Sequence, residues 1–271
     1  MSREGFFTII SIGNELLTGR TLNTNSQWLC KRITDLGGSV HRIVCIGDHV
    51  QTIVETLREE MDRAPSVIVT TGGLGPTFDD MTLEAVARTL GVELQLHPDA
   101  EDMVRGRYQM IFEGKEFKMT AERLKMATIP KGARPLENPV GTAPGVLIET
   151  GAVAIVCLPG VPNEMMAIFE RAVEPFIKSR VGVLRFAELN LEVFDVMESS
   201  LAPVIKETVS KIPQVYVKSH PRGPEQGQSR IVLNLSCRSA EGDEAKTLLH
   251  KSAAYLTDRI TALGGRTNVA Q

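Results

Sequence analysis

The chain has 271 residues, 42% hydrophobic and 23% charged, with 30 Lys and Arg against 33 Asp and Glu. A net charge of -3 gives no general attraction to nucleic acid or to an anionic membrane surface. The length suits one large domain or two ordinary ones.

Phe6–Ile12 (FFTIISI) reads as a first strand. No basic region precedes it and no small-residue cleavage site follows, so it is not read as a signal peptide or membrane span. The protein is therefore expected in the cytoplasm. Asn23-Thr24-Asn25 offers caps for a helix through Trp28, Leu29, Ile33 and Leu36, stopped by Gly37-Gly38. Val40–Ile46 reads as a second strand, and Val50, Ile53, Val54, Leu57 and Met61 mark a second helix. A third strand, Val67–Val69, leads through a glycine-rich loop into a helix through Leu83, Val86, Ala87 and Leu90. Residues 99–126 look mostly helical. Ala133–Leu136, Val146–Glu149 and Val153–Leu158 read as strands, and Asn163–Ile177 as a helix. This alternation predicts an α/β fold over residues 1–178: a mostly parallel sheet with helices on both faces. After a change near Ser179–Gly182, residues 183–265 follow a βαββα pattern, a small α+β unit. Ser219–Gln228 reads as a polar hairpin tip and Thr267–Gln271 as a frayed end. Cys30, Cys45, Cys157 and Cys237 form no CxxC pair and sit in apolar segments, so buried free thiols are expected.

The chemistry gathers in the loop Thr70–Thr82 (TTGGLGPTFDDMT). Gly72, Gly73 and Gly75 would let backbone N–H groups approach an anion without interference from Cβ. Asp79, Asp80 and Thr82 add acceptors, a mixture that suits a magnesium–phosphate ligand. A tight turn with an Asp or Thr helix cap is the plainer reading. In an open parallel sheet, ligands bind beyond the carboxyl ends of the strands. The turns expected there are Gly13–Gly19, Asn23–Asn25, Gly47-Asp48-His49, the glycine-rich loop and Pro159–Glu164. All carry glycine or polar residues, whereas opposite-edge turns such as Leu36-Gly37-Gly38 and Ala64-Pro65 are simple caps. The loop Asn138–Gly145 (NPVGTAPG) looks like a further wall. A P-loop, a complete dinucleotide fingerprint, zinc-ligand spacing and a Gly-x-Ser-x-Gly elbow are all missing from the sequence.

GNELLTG at Gly13–Gly19, Asn23-Thr24-Asn25, TGGLGPTFDDMT at Thr71–Thr82, Asn138–Gly145 and LPGVP at Leu158–Pro162 resemble, in order and spacing, the CinA (competence/damage-inducible protein A) family. The first domain of that family belongs to the MoaB/Mog-like molybdopterin-binding superfamily. The βαββα unit resembles its KH-type middle domain. The resemblance implies a divalent cation, Mg²⁺ or similar, on Asp48 and Asp80, with Glu15 joining them as the catalytic set. It implies phosphate or ligand binding by Gly72, Gly73, Gly75 and Thr77, together with Asn25, Asn138, Gly141, Thr142, Gly145, Pro159 and Gly160. The implied activity is metal-dependent hydrolysis of a nucleotide diphosphate such as ADP-ribose. The alternative is a molybdopterin-binding module of molybdenum-cofactor metabolism without hydrolase activity. Asn14 stands where other superfamily members carry Asp, and Asp79 where Mog-type loops carry a basic residue. CinA proteins often continue into an amidase domain that deamidates nicotinamide mononucleotide; the chain stops at Gln271, so that activity is not expected. A small nucleotide or pterin and further copies of the chain are the expected partners, with no membrane. Nucleic acid is not expected either, since residues 183–271 lack the GxxG loop of a KH domain.

Overall fold

The computed structural model describes residues 5–151, 153–181, 185–222 and 230–270. The chain divides into two compact units after Val181. The first opens with β1 (Phe6–Ile12), α1 (Asn14–Leu17), α2 (Thr24–Asp35), β2 (Ser39–Ile46), α3 (Val50–Asp62) and β3 (Val67–Thr71). It continues through α4 (Thr82–Leu90), β4 (Leu94–Leu96), α5 (Pro98–Ile111), α6 (Ala121–Lys125) and β5 (Thr128–Pro130). It ends with β6 (Arg134–Leu136), β7 (Gly145–Glu149), β8 (Ala154–Leu158), α7 (Pro162–Ile168), a π-helical turn (Phe169–Val173) and α8 (Glu174–Val181).

Six strands form one sheet in the order β2-β1-β3-β8-β7-β6. The four strands from β2 to β8 are parallel; β7 and β6 are antiparallel additions at one edge. The central strands β1, β3 and β8 are buried almost throughout because both of their faces are covered, whereas the edge strand β2 is largely exposed. On β1, Ile10 and Ile12 join a core with Ile53 and Leu57 of α3 and Val86 of α4. Phe7 and Ile9 alternate to the other face and are fully buried there. On that side the Trp28 ring of α2 meets Phe169 edge-on at 5.3 Å. Arg32 of α2 pairs with Glu174 of α8 at 2.5 Å. Pro98 and Pro162 sit in the first turns of α5 and α7, where a missing N–H costs nothing.

Residues 99–126 are not one helical stretch. α5 stops at Ile111, and Glu113 (φ 50°) and Gly114 (φ 76°) turn the chain before Thr120 caps α6. The short pair β4–β5 has no counterpart in the expected elements. β4 is only three residues, Leu94-Gln95-Leu96, all exposed, so its apolar–polar alternation is too short to mark a strand. Cys45 is exposed, against expectation, because β2 is the edge strand; Cys157 and Cys237 are buried and Cys30 is half-buried.

The second unit contains β9 (Arg185–Phe194), α9 (Glu198–Lys211), β10 (Val215–Pro221), β11 (Arg230–Ser239), α10 (Gly242–Ala262) and β12 (Arg266–Ala270). Its antiparallel sheet runs β10-β11-β9-β12. Leu191, Val193, Leu233 and Leu235 pack with Leu201, Leu249 and Leu256. The opposite face is polar: Asn234 donates to Glu188 Oε1 at 2.7 Å and Asn190 Oδ1 at 3.0 Å. Of the segment expected to fray, residues 267–270 belong instead to strand β12, paired with β9 from Arg266↔Phe194 to Ala270↔Asn190, and residue 271 lies outside the described residues. The guanidinium of Arg266 pins it to Asp195 at 2.8 Å. Within the expected polar tip, Ser219–Pro221 belong to β10, and residues 223–228 lie outside the described residues.

Candidate functional site

The parallel strands deliver the turns after β1, β2, β3 and β8 to one edge of the sheet. There they line a cavity of about 370 Å³. From the resemblance-derived set it brings together Glu15, Asp48, Gly72, Gly73, Gly75, Thr77, Asp80, Thr142, Pro159 and Gly160. Leu74, Met126 and Ala143 add an apolar wall.

The loop after β3 is held by its own side chains. Thr82 opens α4, and its hydroxyl donates to the Gly72 carbonyl at 2.8 Å. Asp80 Oδ2 accepts from Thr77 N at 2.8 Å and from the Thr77 hydroxyl at 2.6 Å. The same hydroxyl reaches Asp79 Oδ1, and one proton serves one carboxylate at a time. That contact, first, then a backbone bond and Lys125 hold the Asp79 carboxyl below its ordinary range. Lys125 on α6 also donates to the Thr77 carbonyl. Asp48 Oδ2 accepts from Asn14 N at 2.8 Å, while the Asn14 side chain accepts from Asp48 N at 3.3 Å, locking the turns after β1 and β2 together.

The glycines here accommodate protein atoms. A Cβ on Gly72 would lie 2.1 Å from the Ile12 carbonyl oxygen, one on Gly73 2.3 Å from Thr82 Oγ1, and one on Gly75 2.6 Å from Asp80 Oδ2. Gly72 and Gly73 also have φ of 112° and 69°. The clearance read from the sequence as room for an anion is filled by β1 at Gly72 and by the loop's own side chains at Gly73 and Gly75. Gly160 differs: a Cβ there would meet its nearest neighbour, Gly72 Cα, at 3.4 Å.

Four of the expected ligand residues do not line the cavity. Asn25 stands behind it, donating to Thr71 Oγ1 at 2.9 Å and the Gly160 carbonyl at 2.8 Å. Its Oδ1 is buried with no hydrogen-bond partner among the described residues. Asn138 is 3% exposed and serves as the internal brace of its loop. Gly141 is covered by the Glu164 carboxylate, and Gly145 lies in β7 against Ile168. The residues named as loop walls are partly scaffolding, because a loop rich in Pro and Gly has few side chains of its own with which to hold its shape.

Two residues given no role in the sequence reading matter here. Glu164, in the first turn of α7, lines the cavity. Arg107 of α5 donates to three successive carbonyls: Pro139 at 3.0 Å, Val140 at 2.7 Å and Gly141 at 2.8 Å. Glu164 was visible as the acid ending the post-β8 turn, whereas nothing in the pattern around Arg107 marks it.

The electrostatics are one-sided. Glu15, Asp48, Asp79, Asp80 and Glu164 line the cavity, with no Lys, Arg or His among its described lining residues. Beside it, burial and then Glu15 raise the Cys45 thiol above its ordinary range. Among the described residues, no three His, Cys, Asp or Glu side chains gather into a metal cage.

Residues 8–179 match the family described as "Probable molybdopterin binding domain". The chain belongs to this family. Its first unit is a mostly parallel α/β sheet, and its second is an additional antiparallel unit. A family relative from Pyrobaculum aerophilum is 47% identical over 257 residues, 95% of each chain. One from Aeropyrum pernix is 46% identical over 257 residues, covering 95% of this chain and 94% of its own. The solved structure of the protein CinA, of unknown function, from Thermoplasma acidophilum aligns with a TM-score of 0.60 at 40% identity. That alignment covers 65% of this chain and 99% of the other. No helix among the described residues is long and apolar enough to cross a membrane.

Proposed function

We propose that this molybdopterin-binding-family protein is CinA-like and hydrolyses the diphosphate bond of a nucleotide such as ADP-ribose with the help of a divalent cation. One observation carries the reading: five carboxylates and no basic side chain line the cavity among its described residues. A bare diphosphate would be repelled there, whereas a cation-bound one would be attracted. Asp48 and Asp80 fit such an ion. Among the described residues, the hydrogen bonds to each carboxylate fall on Oδ2, which leaves Oδ1 to bind it. One or two carboxylates suit Mg²⁺, which keeps waters and takes phosphate oxygens. When bound, the cation would neutralise charge on the diphosphate.

The family match favours a second reading, in which the same cavity holds a molybdopterin without hydrolysis. Incubation with ADP-ribose and Mg²⁺, followed by assay for AMP, separates the two. Metal-dependent AMP release is the expected result. A rise in melting temperature with a molybdopterin, and no AMP, would replace the first reading by the second. KH-type kinship of the second unit and homo-oligomerisation belong to the same proposal, and the oligomeric state is read by light scattering.

A further inference from the structure

The loop between β6 and β7 is fitted around one carboxylate. Asn138 uses its whole hydrogen-bonding capacity: Nδ2 donates to the Ala143 carbonyl at 2.8 Å and to Glu164 Oε2 at 2.7 Å. Its Oδ1 accepts from Val140 N at 3.2 Å and Gly141 N at 2.7 Å. With two donors and two lone pairs engaged, the amide has one orientation. Gly141 leaves the space the carboxylate occupies, since a Cβ there would fall 2.0 Å from the Glu164 carboxyl carbon. Arg107 independently clamps the three carbonyls before Thr142.

The loop does not require Glu164 as a pin. Three other bonds of Asn138 and three from Arg107 already hold it. Glu164 is in none of the ion pairs among the described residues, and it comes to the cavity from the helix start after β8, whereas Asp48 and Asp80 come from the turns after β2 and β3. A cavity-lining carboxylate fixed by a neutral amide through one oxygen keeps the other oxygen to take a proton.

We propose that Glu164, held by Asn138 over Gly141, is the general base of the site, an inference that rests on the hydrolase reading above. A water oxygen forms a bond to phosphorus while its proton passes to the Glu164 carboxylate. The bridging P–O bond breaks, and its electron pair stays on the departing phosphate oxygen. The two products are phosphate monoesters, and Glu164 returns its proton to solvent.

The test uses the full chain with ADP-ribose and Mg²⁺. Glu164→Gln can still accept from Asn138, so the fold and its melting temperature should hold. Its kcat should drop by about 100-fold or more, with KM within about threefold. Glu164→Ala should lose a similar factor and regain part of it in added formate, which can enter the vacated space and take the proton. Gly141→Ala keeps Glu164 but displaces its carboxylate, and should also lower kcat. Turnover of Glu164→Gln near the wild-type rate, or a loss confined to KM, would overturn the base assignment while leaving the hydrolase reading standing. Wild-type protein that releases no AMP would instead bring down the hydrolase reading, and the base with it.

Discussion

Residue scale separates side chains that hold the loops from those free to act. Asp80 does both: one oxygen closes the glycine-rich loop through Thr77, and the other is available to a cation. Asp80→Asn keeps an acceptor for Thr77 but removes a charge. It should leave the melting temperature within a few degrees while Mg²⁺-dependent turnover falls by about 100-fold. Undiminished turnover in a folded Asp80→Asn protein would falsify its cation role. Gly160 offers the cleaner test of close ligand approach. A methyl there meets nothing nearer than 3.4 Å, so Gly160→Ala should fold normally and weaken ADP-ribose binding in titration calorimetry. Gly72→Ala answers another question. Its Cβ would collide with a backbone carbonyl at 2.1 Å and φ of 112°, so about 3 kcal/mol or more of stability should be lost in denaturant melts.

At the scale of elements, α5 supports the site without entering it. Arg107→Leu removes three hydrogen bonds from the 139–141 carbonyls, and the loop should loosen. Faster amide exchange at Val140 and Gly141, with protection in β1 and β3 unchanged, is the expected signature. A second tie joins α2 to α8. Lys178 first, and then Arg32, hold the Glu174 carboxyl below its ordinary range, against the opposing effect of burial. A carboxyl with a depressed folded-state pKa adds stability above its unfolded value of about 4.3 and loses it as pH falls through the folded value. The melting temperature should therefore fall more steeply in the wild type than in Glu174→Gln between about pH 5 and pH 3. Parallel curves would mean the tie contributes nothing. The sequence showed Asn23 as a helix cap, and its Oδ1 does accept from Ser26 N at 3.1 Å. It did not show Arg107, because a helix surface rich in charge gives no sign of which cation turns inward.

For the whole molecule, the cavity-lining residues all precede residue 165. The first unit has its own core on both faces of a six-stranded sheet. A fragment of residues 1–181 should therefore unfold cooperatively and show the same ADP-ribose-dependent rise in melting temperature as the full chain. A folded fragment blind to a nucleotide that the full chain binds would show that the later residues complete the site.

Strand–helix alternation and the glycine-bearing turns were legible in order along the chain, because period, caps and breakers are local properties of the backbone. So was the gathering of Glu15, Asp48 and Asp80 at one edge, since parallel crossovers send every such turn the same way. Tertiary structure decided what locality cannot carry. It made β12 a strand, because an edge strand with exposed residues draws its stability from its partner β9. It filled the space above Gly73 and Gly75 with Thr82 and Asp80. It also brought Asn138 and Gly141 onto Glu164, more than 20 residues away, a contact set by the sheet order β8-β7-β6.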